Sequence, residues 1–300
     1  MRNIYFLLFV VILNSYSHNS FAEKINILWL TRNGDDKANL LNFQQHSINS
    51  DTTHLVLDAL TRDQQNQYTI KFQVAQIPRM NLLLKSAKTT CVSNRMKTPE
   101  RELSNVFSTP VNLYMGYRLY YLKLNNDIPE QLLAKDKQLK SLTALFTMFP
   151  KRVLAITKGR SYGDYFDQQI SILPTKNIYA RLGSSPAKAI AQMLLRKRVD
   201  YLLEFPVTFK TEMSLNRQGV NFKSIGVVNS PHYILGHVAC SDTVAGHKII
   251  KRVNEILQSL YSNREFYLSH TRYLDKNDVP VFNQYYTEAF RTQIPSERKN

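Results

Sequence analysis

Cysteine is nearly absent from this 300-residue chain: Cys91 and Cys240 are the only two. Two thiols cannot build a tetrahedral thiolate site. The seven His residues form no ligand-spaced cluster with them or with one another, and nothing like H-E-x-x-H occurs. Neither a metal nor another cofactor is expected. Long apolar runs are missing too. The strongest, residues 4–13, is about half of the roughly 20 residues a membrane-spanning helix needs, and no later segment approaches that length. Acid is the third scarcity, with 23 Asp and Glu against 39 Lys and Arg, a formal charge of +16. Such an excess suits an anionic ligand, an anionic membrane surface or plain solubility. Nucleic acid is not expected as a partner, because the bases are spread along the chain and its first residues direct export.

Those first residues read as a secretory leader. Arg2 precedes the apolar run, and a polar stretch ends in Ser20-Phe21-Ala22, with small residues where a signal peptidase reads. Cleavage after Ala22 removes one base and no acid, leaving about +15 on a soluble mature chain of roughly 280 residues, enough for one large domain or two lobes. No Cys follows the cleavage point, so lipid attachment is not expected, and a free periplasmic protein is. In that oxidising compartment Cys91 and Cys240 are expected to pair rather than remain two separate buried thiols.

Apolar patterning alternates between strand and helix. Residues 25–30, 68–75, 153–157, 200–205 and 222–228 read as strands, and 54–65, 79–86 and 164–170 as helices. Ser184-Ser185-Pro186 caps a further helix, with Ala187, Ile190, Ala191, Leu194 and Leu195 on one face. Ile249, Val253, Ile256, Leu257 and Leu260 mark a helix near the C-terminus. The residues therefore form two α/β series, and the Cys pair ties the first to the segment after the second. This predicts an α/β clamshell of two lobes crossed twice by the backbone: residues 23–117 plus 237–300 as lobe one and 118–235 as lobe two. The crossings fall near 117–123 and 231–237, and Tyr114, Tyr117, Tyr120 and Tyr121 either line the cleft or pack the hinge.

The segment Thr98-Pro99-Glu100-Arg101 followed by Phe107-Ser108-Thr109-Pro110 resembles the T-x-x-R and F-S-x-P motifs of the family 3 extracellular solute-binding proteins. The likeness extends weakly over nearly the whole mature chain and implies the periplasmic-binding-protein fold, with a ligand held between lobes. It assigns Arg101 to an α-carboxylate, with Thr98 beside it; a guanidinium fork matches a carboxylate in two hydrogen bonds. It further implies that Arg160 and Ser161 in Gly159-Arg160-Ser161-Tyr162-Gly163 supply an anion seat at a helix N-terminus, and that Glu204 meets an α-ammonium. Trp29 is either a stacking surface in the cleft or core. The chain departs from the amino-acid binders at Met96 and Lys97, where they carry hydroxyls, and lacks their proline pair after the first strand.

The implied role is capture of a small polar solute, an amino acid or related carboxylate, by a monomer that delivers it to a membrane transporter. A ligand-sensing partner of a membrane signalling protein is the alternative. An enzyme of the dehydratase kind on this fold is a third, but no evident acid/base pair serves it.

Overall fold

The structure is a computed structural model. It describes residues 23–42, 44–63, 66–123, 127–183, 185–214 and 222–295. The leader and its cleavage point, Ser184 and the C-terminal tail lie outside those residues. Among the described residues no helix is long and apolar enough to cross a membrane.

The first half of the chain runs β1 (Glu23–Thr31), α1 (Gly34–Asn42), α2 (Ile48–Thr61), β2 (Asn66–Val74), α3 (Ile77–Leu84), β3 (Thr90–Arg95), α4 (Pro99–Glu102) and β4 (Asn105–Met115). It continues with β5 (Arg118–Leu122), α5 (Leu142–Met148), β6 (Leu154–Thr157), α6 (Asp164–Ser171), β7 (Ile178–Arg181), α7 (Pro186–Leu195), β8 (Tyr201–Glu204), α8 (Pro206–Ser214) and β9 (Phe222–Ile225). It closes with β10 (Tyr233–Ser241), α9 (Val244–Leu260), α10 (Arg264–Thr271) and α11 (Val279–Phe290).

The strands form two five-stranded sheets, ordered β2-β1-β3-β10-β4 and β7-β6-β8-β5-β9. In each, two neighbouring pairs are parallel and two antiparallel. Covered on both faces, β1 needs a nearly continuous apolar run, and Ile27, Leu28, Trp29 and Leu30 are all buried. Helices α2, α9 and α11 cover one side of the first sheet around Ile249, Val253 and Tyr286, while α3 covers the other through Met80 and Leu84. The second sheet is likewise enclosed, with Phe146 and Phe166 on one side and Ile190, Leu194 and Phe209 on the other.

This is the α/β clamshell that the two series implied. Lobe one carries the first sheet and lobe two the second, and the backbone crosses once between β4 and β5 and again between β9 and β10. The two crossings run side by side: the Gly116 amide donates to His232 O at 2.7 Å, and a Cβ on Gly116 would lie 2.2 Å from Pro231 O. Only glycine permits that approach. The first passage is shorter than the sequence implies, because β5 already pairs with β8 and β9 from Arg118 onward. The second ends earlier, because Tyr233, Ile234 and Leu235 pair with β4 in the first sheet.

Cys91 and Cys240 face each other across β3 and β10 and form a disulfide with an S–S distance of 2.05 Å. It joins residues 149 apart in sequence inside one lobe. Helix α2 starts at Ile48, six residues before the apolar periodicity suggests. Ser47 accepts from the Ser50 amide, and the Ser50 side chain answers from the Ser47 amide, a capping box. The buried Asp51 in its first turn then accepts from Arg272 and the Tyr273 hydroxyl at 3.0 and 2.7 Å, fastening α2 to the chain after α10.

Candidate functional site

A cavity of about 120 Å³ lies where the two lobes meet. A space of that size suits a compact solute. Trp29, Thr31 and Arg32 reach it from β1 and the following turn, Ser93 and Arg95 from β3, and Arg101 from the end of α4. Lobe two contributes Arg160, Ser161 and Phe205, and Tyr114 and Tyr117 close the hinge side. Phe205 stacks between those two tyrosines, with centroids 4.5 Å from Tyr114 and 4.1 Å from Tyr117. Tyr120 and Tyr121 are buried within lobe two instead.

The charged part of the lining is mostly basic: Arg32, Arg95, Arg101 and Arg160 against Asp36, the one carboxylate in it among the described residues. Arg95, Arg101, Arg160 and Ser161 also line an adjoining, more open hollow of about 400 Å³, which meets Glu100, Asp164 and Asp167 toward solvent.

Arg101 is set in place by local chemistry. Thr98 caps α4 by accepting from the Arg101 amide at 3.4 Å, and Arg101 Nη1 donates to Met96 O at 2.8 Å. Burial lowers the Arg101 pKa, and the Asp167 and Glu100 charges recover part of that loss. Thr98 therefore serves the turn, and it borders the open hollow rather than the inner cavity.

Arg160 is held differently. Its Nη1 lies 2.7 Å from Glu204 Oε2 and its Nη2 2.9 Å from Glu204 Oε1, with a further bond of 3.1 Å to the Tyr117 hydroxyl. Its guanidinium also sits 5.1 to 5.4 Å from the ring centroids of Tyr117, Tyr162 and Phe205, within cation–π range. Glu204 receives the Phe205 amide at 2.9 Å as well and is not part of the cavity wall. The acid assigned to an ammonium thus lies behind Arg160 and is its counter-ion.

The loop before α6 also differs from expectation. Asp167 accepts from the Tyr162 amide at 2.7 Å and from the Ser161 hydroxyl at 2.5 Å, and Ser161 Oγ in turn accepts from the Gly163 amide at 3.2 Å. The helix's own carboxylate fills the anion seat expected there. Ser161 still reaches the cavity, where its hydroxyl lies 3.4 Å from Met96 Sδ across the cleft. Trp29 is 1% exposed, part of the lobe-one core and of the cavity floor at once.

Arg95 escaped the sequence reading. It is 8% exposed, and among the described residues its one side-chain hydrogen bond runs from Nη1 to Asn81 Oδ1 at 3.0 Å; Nε has no partner. Burial first, and the Arg101 charge second, push its pKa down to about 9, with Glu100 opposing. The backbone explains its aim. Along β3, Ser93 and Asn94 stand opposite Val238 alone, a bulge in which Asn94 takes φ +56°. Gly236 allows it: a Cβ there would meet Asn94 Oδ1 at 2.3 Å. The only hint in the sequence is an Arg six positions before Arg101.

No metal-binding group of three or more His, Cys, Asp or Glu residues occurs among the described residues.

No family model matches the chain, and no curated protein does. Solved structures do. An ancestral arginine-binding protein bound to arginine matches with a TM-score of 0.59 at 13% identity, over 84% of this chain and 98% of that one. A structure from work on glutathione import and the cystine ABC importer of Streptococcus mutans matches with a TM-score of 0.57 at 11% identity, over 93% and 99%. A histidine kinase sensor domain with similarity to periplasmic binding proteins matches with a TM-score of 0.58 at 15% identity, over 83% and 95%. Likeness at such identities is one of fold, and the chain has the two-lobed clamshell fold found in solute-binding proteins of ABC importers and in a kinase sensor domain.

Proposed function

We propose that this chain captures a small anionic solute between its lobes and delivers it to a membrane transporter. The observation that carries the reading is Arg101, a half-buried guanidinium that lines the interlobe cavity and has no carboxylate paired with it among the described residues. A carboxylate entering such a cleft loses hydration and binds only where charge-assisted hydrogen bonds replace it. The surrounding arginines favour acids, and with Glu204 spent on Arg160 nothing in the wall is reserved for an ammonium except Asp36, which faces Arg32 at 3.8 Å. A carboxylate with or without an amino group is therefore the ligand class, and binding without turnover the activity, since one carboxylate among four arginines is a poor acid/base pair.

Export by the leader and action as a periplasmic monomer belong to the same proposal. The likeness to a kinase sensor domain favours a second role for the same cavity, reporting ligand capture to a membrane signalling protein. A thermal-shift screen of the mature protein against small acids, neutral solutes and cationic amino acids tests the reading. Acids are expected to raise the melting temperature, and stabilisation by cations alone would contradict it.

A further inference from the structure

The inner cavity holds more positive charge than one acidic group requires. Arg160 is matched by Glu204 at 2.7 Å, and Arg32 has Asp36 within ion-pair distance. Arg101 and Arg95 are left, each bonded through Nη1 to a neutral oxygen, Met96 O for one and Asn81 Oδ1 for the other. An anion that met Arg101 alone would leave Arg95 buried beside it with no ion pair of its own, its charge eased only by Glu100 in the adjoining hollow.

A buried guanidinium donor without an acceptor is strongly unfavourable, more so next to a like charge. Arg95 is in that position: Nε has no partner, and Ser93 Oγ, two residues earlier on the same strand and also 8% exposed, has none either. Both residues line the cavity. The bulge at Asn94, a left-handed residue accommodated by Gly236, is what sets Arg95 in that wall. Backbone irregularity of this kind is retained where a side chain must be aimed.

We propose that the cavity recognises a dianion, Arg101 receiving one acidic group and Arg95, with the Ser93 hydroxyl, receiving the second. This rests on the solute-binding reading above and narrows it to compact solutes carrying two negative charges. Asp167 lends charge to Arg101 from the adjoining hollow but forms no ion pair with Arg101 or Arg95 among the described residues, its oxygens accepting from Ser161 and Tyr162. A short dicarboxylate and a small phosphate monoester share the required chemistry.

The test is calorimetry of the mature protein with matched probes: succinate and glutarate as dicarboxylates, butyrate as the monoanion, and glycerol phosphate as the phosphate monoester. In wild type, at least one dianion is expected to bind about 30-fold or more tightly than butyrate. Arg95→Gln is expected to erase that advantage by weakening the dianions far more than butyrate, whereas Arg101→Gln weakens both classes. Arg95→Lys, which keeps a charge and loses the fork, should recover only part of the preference. It also supplies the comparison if the Gln variant folds poorly. Preference for dicarboxylates over glycerol phosphate, or the reverse, identifies the acid. Equal affinity for butyrate and the dianions, or an unchanged dianion affinity in Arg95→Gln, overturns the inference and returns Arg95 to a structural tie to Asn81, with the solute-binding reading intact. If no anion binds at millimolar concentration, the inference fails, and stabilisation by cationic or neutral solutes instead removes the anion reading with it.

Discussion

Arg160 and Glu204 lie fork to fork, with N–O distances of 2.7 and 2.9 Å and side chains 17% and 8% exposed. Glu204 ends β8 and Arg160 belongs to the loop after β6, so the pair binds the inner edge of lobe two together and fixes the guanidinium at the cavity. Breaking a buried pair strands the remaining charge, typically at about 3 kcal/mol or more. Glu204→Gln is therefore expected to lower stability on that order in chemical denaturation and to leave acidic ligands bound at least as tightly, because Arg160 then meets the cavity without its counter-ion. Unchanged stability with a selective loss of amine-bearing ligands would restore the ammonium role that the resemblance implied.

A second expectation concerns the bulge. Alanine at Gly236 places a Cβ 2.3 Å from Asn94 Oδ1 and 3.2 Å from Asn94 Cα, so the Asn94 side chain, which donates to the Tyr114 hydroxyl at 3.1 Å, must turn away. Overpacking of this kind costs about 1 to 3 kcal/mol. Gly236→Ala should lower the melting temperature and, by displacing Asn94 and Arg95, weaken ligand binding by more than its stability loss accounts for. Full binding in a destabilised variant would separate the bulge from the site.

Acid sensitivity should trace in part to His270. It is wholly buried among Phe266, Phe282, Tyr286 and Phe290, its Nδ1 donating to Phe266 O at 2.8 Å and its Nε2 without a partner. Burial pushes its pKa down to about 4. As pH falls below the ordinary histidine value near 6.5, the unfolded chain takes up a proton that the folded chain refuses until about pH 4. The stability from this group is thus present above pH 6.5 and lost on acidification, on the order of 3 kcal/mol across that window. His270→Leu should flatten the pH dependence of the denaturation midpoint between pH 6.5 and 4; an identical slope would assign the loss to other groups.

The disulfide gives a further check. Closing a loop of 149 residues stabilises by about 5 kcal/mol in the chain-entropy description. Mature protein alkylated without reductant should show no labelled cysteine by mass, and reduction should lower the melting temperature. Two labelled thiols in the unreduced protein would contradict the Cys91–Cys240 bond.

The legible parts of this fold were those governed by local patterning. Runs such as those of β1 and β8 must be apolar because both sheet faces are covered, and the stripe of Ile249, Val253 and Ile256 has a helix period that only one packing face explains. Thr98 and Pro99 mark the start of α4 for reasons internal to the turn. What escaped depends on contacts remote in sequence. Strand β10 contains Gly236 and two irregularities of pairing, so no alternation announces it, and its ladder is fixed by β3 and β4 more than 100 residues earlier. Helix α2 buries Asp51, Thr52 and Thr53, polar residues whose partners include Arg272 and Asn112. At the site, the motif located Arg101, but the partnership of Glu204 with Arg160 and the aim of Arg95 are products of tertiary geometry. An acid in an apolar strand says only that it has a partner, not which one.

In the proposed function Arg101 holds an acidic solute between the lobes. Calorimetric titration of wild type and Arg101→Ala with the acid that most stabilises the wild-type protein tests it most directly. Removing one side of a buried charge pair costs about 2 to 5 kcal/mol, roughly 30-fold to several thousand-fold in affinity. Arg101→Ala should bind at least that much more weakly while melting, without ligand, close to wild type. Wild-type affinity in Arg101→Ala would contradict the claim.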